Sequence, residues 1–130
     1  MILWGRKDGG LESKVYAWGI ELKWLGSILL LKFEKGSREA YHNHAFNSIS
    51  WVLKGSLWEI TPPAKYASDH NWYYPSIFPV KTLRTTNHMV KGMAPSNWVL
   101  TFRGPWSKTW TEYRIKEDRE VTLTHGRKEV

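Results

Sequence analysis

The chain is 130 residues long, contains no cysteine and nine tryptophans, and carries a formal net charge of +7 with a pI near 9.7. That length predicts one domain, residues 1–130, with a single core. The absence of cysteine excludes a disulfide framework and any thiolate site, so a metal would have to be held by nitrogen and oxygen donors.

The basic excess raises nucleic acid as a partner, which requires clustered Lys and Arg. Residues 1–41 carry seven basic and five acidic side chains, 42–102 five and two, and 103–130 seven and five. The charge is thinly spread, and no polybasic run, zinc-finger spacing or RNP-like segment occurs, which argues against nucleic acid. The longest apolar run, Ser27–Leu31 with Phe33 beyond it, falls far short of the ~20 residues that span a bilayer. The N-terminal MILWGRKDGG lacks the sustained apolar stretch of a secretion signal, so a cytoplasmic location without membrane attachment is expected.

In chain order, residues 1–13 read as a terminal arm ending in the turn Asp8-Gly9-Gly10. Lys14–Trp24 and Ile28–Phe33 predict two strands separated by Gly26-Ser27; periodicity alone leaves the continuous run Ile28–Leu31 open to a buried helix segment, but its shortness and the turn signal Phe33-Glu34-Lys35-Gly36 favour a core strand. Gly36–Gly55, GSREAYHNHAFNSISWVLKG, alternates and holds two histidines one residue apart, His42 and His44. Strand alternation puts both imidazoles on one face, where they can share a metal ion. Ser56–Ile60 follows as a strand, expected to form a hairpin through Lys54-Gly55. Thr61–Pro75, with three prolines and four aromatic residues, reads as a long loop, either a lid or a surface excursion.

Further on, Ile77–Val90 alternates loosely around His88, Trp98–Arg103 and Trp110–Ile115 read as strands, and Val121–Thr124 precedes a basic tail, 125–130. Many short strands with almost no helical periodicity predict an all-β sandwich or barrel. Glu59 and Glu112 lie in alternating strands where exposed or half-buried carboxylates are ordinary. His70 and His125 read as surface histidines. Arg103 precedes Gly104-Pro105 and either closes a barrel mouth or forms a rim ion pair.

The spacing Gly36, five residues, His42-Asn43-His44, three residues, Ser48, six residues, Gly55 resembles the first motif of the cupin superfamily, with Ser48 standing where the family has glutamate. The second cupin motif aligns only at its histidine, His88; Ile77, Leu83, Thr85 and Gly92 occupy the positions of its other residues. The succession HNHAFNSISWVLKG, NHMV and FRGPWSKTW is similar to a group of small phage and bacterial cupin-like proteins, some of them labelled after cysteine dioxygenase. The resemblance implies a single-domain cupin double-stranded β-helix, a jelly-roll barrel, located in the host cytoplasm if the chain is viral. It further implies His42, His44 and His88 as ligands of a divalent transition metal, Fe, Ni or Zn. The same histidines would equally serve as hydrogen-bonded pocket residues in a cupin without metal.

Residues two and four positions from a strand ligand share its face. This parity nominates Arg38, Ser48 and Ser50 from the His42 side, and Arg84, Thr86 and Val90 from the His88 side. Tyr41 and Trp51 take the opposite parity and are expected between sheets or at an interface. Inward-facing Arg38 and Arg84 would bind a small anion bidentately; at strand ends they would be solvated. Two functions remain open. One is a metal-dependent enzyme of the non-haem iron dioxygenase type acting on a small anionic molecule; the other is a non-enzymatic cupin that sequesters a small molecule or binds a protein. The resemblance also implies a homodimer, since cupins commonly pair through strands, which the tryptophan-rich composition and short terminal strands suit.

Overall fold

The computed structural model describes residues 1–8, 14–36, 40–42, 46–61, 69–84, 88–114, 119–124 and 128–129, with backbone only at 40–42, 69, 113–114 and 128–129. Thr86, Arg38 and His44 lie outside the described residues. Among those described there are twelve strands and no helix, hence none long and apolar enough to cross a membrane. The all-β expectation holds.

The larger sheet runs β1 (Ile2–Lys7), β2 (Val15–Leu22), β3 (Gly26–Gly36), β9 (Met89–Arg103), β5 (Ser48–Lys54) and β8 (Val80–Thr82). β6 (Leu57–Thr61) also pairs with β9, and β7 (Asp69–Tyr73) pairs with β6. The smaller sheet runs β12 (Lys128–Glu129), β11 (Arg119–Thr124), β10 (Thr109–Arg114) and β4 (Ala40–His42). Ile2–Lys7, expected as part of an arm, is the edge strand, in register with Tyr16–Ile20 of β2. The second part of the expected loop 61–75 is β7, whose Asp69–Tyr73 pairs residue by residue with β6.

Period-two alternation decides what each strand buries. In β3, Ser27, Leu29 and Leu31 turn inward, and in β9 Asn97, Val99, Thr101 and Arg103 do. With Leu3, Ala17, Val52 and Leu57 the aliphatic members form one core cluster. A second gathers Phe46, Trp110, Val121 and Leu123, with Trp106 packed on it.

β5 and β6 do not form the expected hairpin. Both pair with β9, β5 along Trp98–Arg103 and β6 along Met89–Gly92. The chain between them turns at Gly55, whose φ of +81° favours glycine. The backbone groups that a hairpin would pair with each other are instead satisfied by β9. Asn97, 0% exposed, fastens this junction: its Oδ1 accepts from the Ser56 N–H at 2.8 Å and the Ala94 N–H at 3.2 Å, and its Nδ2 donates to Phe33 O at 3.1 Å and Ala94 O at 2.9 Å. The register of β3 on β9 jumps from Ser96 to Gly92 at the same place, dividing β9 into two halves with different partners. Bulged strands of this kind make the corners of sandwiches and barrels.

Candidate functional site

The sharpest polar constellation on an inner face is built by register. In β6, Leu57 and Glu59 share a face; Glu59 lies opposite Asn71 of β7 on one side and Val90 of β9 on the other. Tyr73 and His88 each sit two residues along from those partners. They are therefore on Glu59's face at diagonal positions, within reach of long side chains. The Tyr73 hydroxyl donates to Glu59 Oε1 at 2.8 Å, Asn71 Nδ2 donates to the same oxygen at 3.5 Å, and His88 Nδ1 lies 2.6 Å from Glu59 Oε2. Glu59 and His88 are both buried, at 7% and 4% exposure.

Burial acts to raise the Glu59 pKa, but the hydrogen bond and charge of His88, then the hydrogen bonds from Tyr73 and Asn71, outweigh it and hold the carboxyl below its ordinary value. The ionised carboxylate has no proton to give, so the short contact requires His88 Nδ1 to carry the hydrogen. In a neutral imidazole that places the lone pair on Nε2, the arrangement in which a carboxylate orients a metal-binding histidine. Tyr73 is pushed well above the usual phenol range by burial and then by the hydrogen bond and charge of Glu59. It stays a neutral donor.

In the sequence Glu59 looks like an ordinary strand carboxylate. Its only local signal was strand alternation, shared with many exposed glutamates; its partners come from two other strands. His88, nominated from the second motif, is buried on the inner face beside it. His42 is the last residue of β4, its backbone in register with Glu112 of β10, and β4 also lies against β9. Its side chain, like His44, Arg38 and Thr86, lies outside the description. Glu112, too, is buried rather than surface-exposed.

Ser48 and Ser50 face inward opposite Arg103 and Thr101 of β9. The Ser50 and Thr101 hydroxyls are 2.8 Å apart. Arg84 follows β8 with an exposed side chain, its N–H donating to Asn47 Oδ1 at 2.8 Å. Arg103 is engaged: it grips Asp8 through two nitrogens at 2.6 and 3.2 Å, with Glu21 at 3.9 Å, and lies over the Phe46 ring at 4.5 Å. Its fork therefore ties the β1–β2 connection to the end of β9. Trp51, of opposite parity, takes the outer face, where its Nε1 donates to Ile77 O at 3.2 Å. His70 is a surface histidine as expected, stacked on Trp58, which in turn stacks on Trp72.

No family model matches the sequence, and no curated protein does. Solved structures match in shape. A sugar phosphate isomerase of the cupin superfamily from Silicibacter pomeroyi superposes with a TM-score of 0.59 at 14% identity, over 88% of this chain and 73% of that one. Oxalate decarboxylase from Bacillus subtilis gives 0.55 at 12% identity, over 82% of this chain and 29% of that one. Fe(II) HppE gives 0.53 at 10% identity, over 68% and 49%. This chain thus spans under a third of the oxalate decarboxylase chain it matches. These neighbours are cupins, and at such identities the likeness establishes the fold.

Proposed function

From the cupin fold shared with these neighbours, we propose that the protein holds a divalent transition metal through His42, His44 and His88 and binds a small anionic molecule beside it. The carrying observation is the buried His88–Glu59 contact at 2.6 Å. With Glu59 ionised, Nδ1 carries the hydrogen of this contact, so His88 in its neutral form presents the Nε2 lone pair that a metal requires, and neutral imidazoles suit Fe, Ni and Zn. Among the solved neighbours, oxalate decarboxylase is described with Mn(II) centres and HppE with Fe(II). A cation held by nitrogen donors alone keeps most of its charge, supplying an electrophilic centre that favours anions. Ser48 and Ser50 on the inner face, with Arg38 and Thr86, are the proposed anion-binding residues, and Arg84, exposed after β8, takes the solvated alternative. Arg103 is already neutralised by Asp8.

Whether the pocket turns over a substrate in the manner of a non-haem iron dioxygenase, or only sequesters one, separates two versions of this function. Metal analysis of untagged protein tests the shared premise. Near-stoichiometric metal is expected in the wild type and loss in His42→Ala/His44→Ala; equal, negligible metal in both rejects it. Oxygen consumption by the Fe(II)-loaded protein against a panel of thiols and 2-oxo acids then divides the versions. Turnover supports the enzyme, and saturable binding without turnover supports sequestration.

A further inference from the structure

The outer face of the larger sheet carries two adjacent apolar rows across β1, β2, β3, β9 and β5. Register aligns Ile2, Ile20, Ile28, Phe102 and Ile49 in one row across five adjacent strands, ending at Lys81 of β8. The next row is Trp4, Trp18, Leu30, Leu100 and Trp51. The continuous run Ile28–Leu31 explains how this arises: Leu29 and Leu31 fill the core, leaving Ile28 and Leu30 to point outward. Ile2, Trp4, Ile20, Ile28, Phe102 and Ile49 are between 39% and 86% exposed. Together they present on the order of 700 Å², taking about 200 Å² for a fully exposed side chain of this size. That exceeds the ~300–600 Å² of the largest patch on a typical monomer and approaches the ~800 Å² each partner contributes to a stable interface.

We propose that this face is the contact between two copies of the chain, packed sheet on sheet about a two-fold axis. The area approaches what a dimer needs, and the two rows carry no charge from Ile2 to Ile49 and from Trp4 to Trp51. A contact between identical patches requires a surface that can face itself. The row beyond Trp4–Trp51 is cationic, with Lys7, Lys32 and Lys54 around Tyr16 and Trp98. A two-fold running along the isoleucine row carries the two lysine rows to opposite sides of the interface, so they do not oppose each other. Aligned sheet packing, with strands about 30° apart, accommodates this arrangement.

Sedimentation velocity of the untagged full chain across micromolar concentrations is the test. The wild type is expected at twice the chain mass of 15.3 kDa. Ile28→Glu places two unpaired carboxylates in the contact and is expected to raise the dimer Kd on the order of 100-fold or more. Ile20→Glu, on the neighbouring strand, is expected to do the same, both variants keeping the wild-type circular dichroism. Trp72→Ala, in β7 and outside these two rows, is expected to remain dimeric. A monomeric wild type overturns the proposal, including one that instead binds anionic lipid vesicles. So does a dimer indifferent to both glutamates.

Discussion

Replacing Glu59 by Gln preserves shape while removing the charge on which the inner-face constellation depends. The amide keeps one carbonyl oxygen, enough for the Tyr73 hydroxyl at 2.8 Å, but turns an N–H₂ toward the His88 Nδ1 hydrogen. Two donors cannot pair, so His88 either loses this bond or moves its proton to Nε2. The loss of a buried, charge-assisted hydrogen bond costs about 2–3 kcal/mol, or a fall in Tm of roughly 4 °C per kcal/mol for a chain of this size. Urea unfolding of wild type and variant across pH measures it. The Glu59 pKa is depressed below its ordinary 4.5, so its contribution is fully present above that value and lost as pH falls through the lower folded value. The gap between wild type and Glu59→Gln should therefore be wide at neutral pH and shrink in acid. The same tautomer change should lower metal affinity on the order of 10–100-fold, a readout independent of stability. A stability difference below about 0.5 kcal/mol at neutral pH, or one that persists undiminished in acid, would refute the assigned proton on Nδ1.

Asn97→Ala should destabilise by roughly 3 kcal/mol, because the Ser56 and Ala94 N–H groups and the Phe33 and Ala94 carbonyls lose their partner in a site closed to water. Denaturant titration checks it, and Asn97→Asp should rescue only the acceptor half. Gly55→Ala should cost at least ~2 kcal/mol, since φ is +81° and the added methyl meets the Asn97 amide and Ser96 carbonyl. Combining it with Asn97→Ala should be less than additive, because the two share that space.

Much of the architecture is legible in the chain. Alternating segments separated by glycine and proline turns specify strands because side chains repeat every second residue, and β2, β3, β5, β10 and β11 emerge near their expected positions. The N-terminal strand and β7 were less visible. Ile2–Lys7 is only a short apolar piece before a glycine turn, and Asp69–Tyr73 lies between prolines; each becomes a strand because a neighbour offers it a ladder.

The candidate ligands legible at once, His42 and His44, announce themselves by residue type and spacing, and His88 is nominated only by its place in the second cupin motif. Glu59 does not announce itself, since nothing in SLWEIT distinguishes a glutamate destined for a buried histidine from one facing water. The distinction arises only when β9 and β7 flank β6 and bring His88 and Tyr73 to its diagonals. The same holds for the seating of β5 and β6 on the two halves of β9, fastened by Asn97 from 41 residues beyond Ser56 in the chain, and for the apolar outer rows, in which each strand supplies one residue per row. Period and composition act along the chain, so the sequence by itself determined strand content, the absence of thiol chemistry and the histidines available to a metal. Register acts between strands distant in sequence, and only the tertiary structure decided which carboxylate meets which histidine and where the apolar rows align.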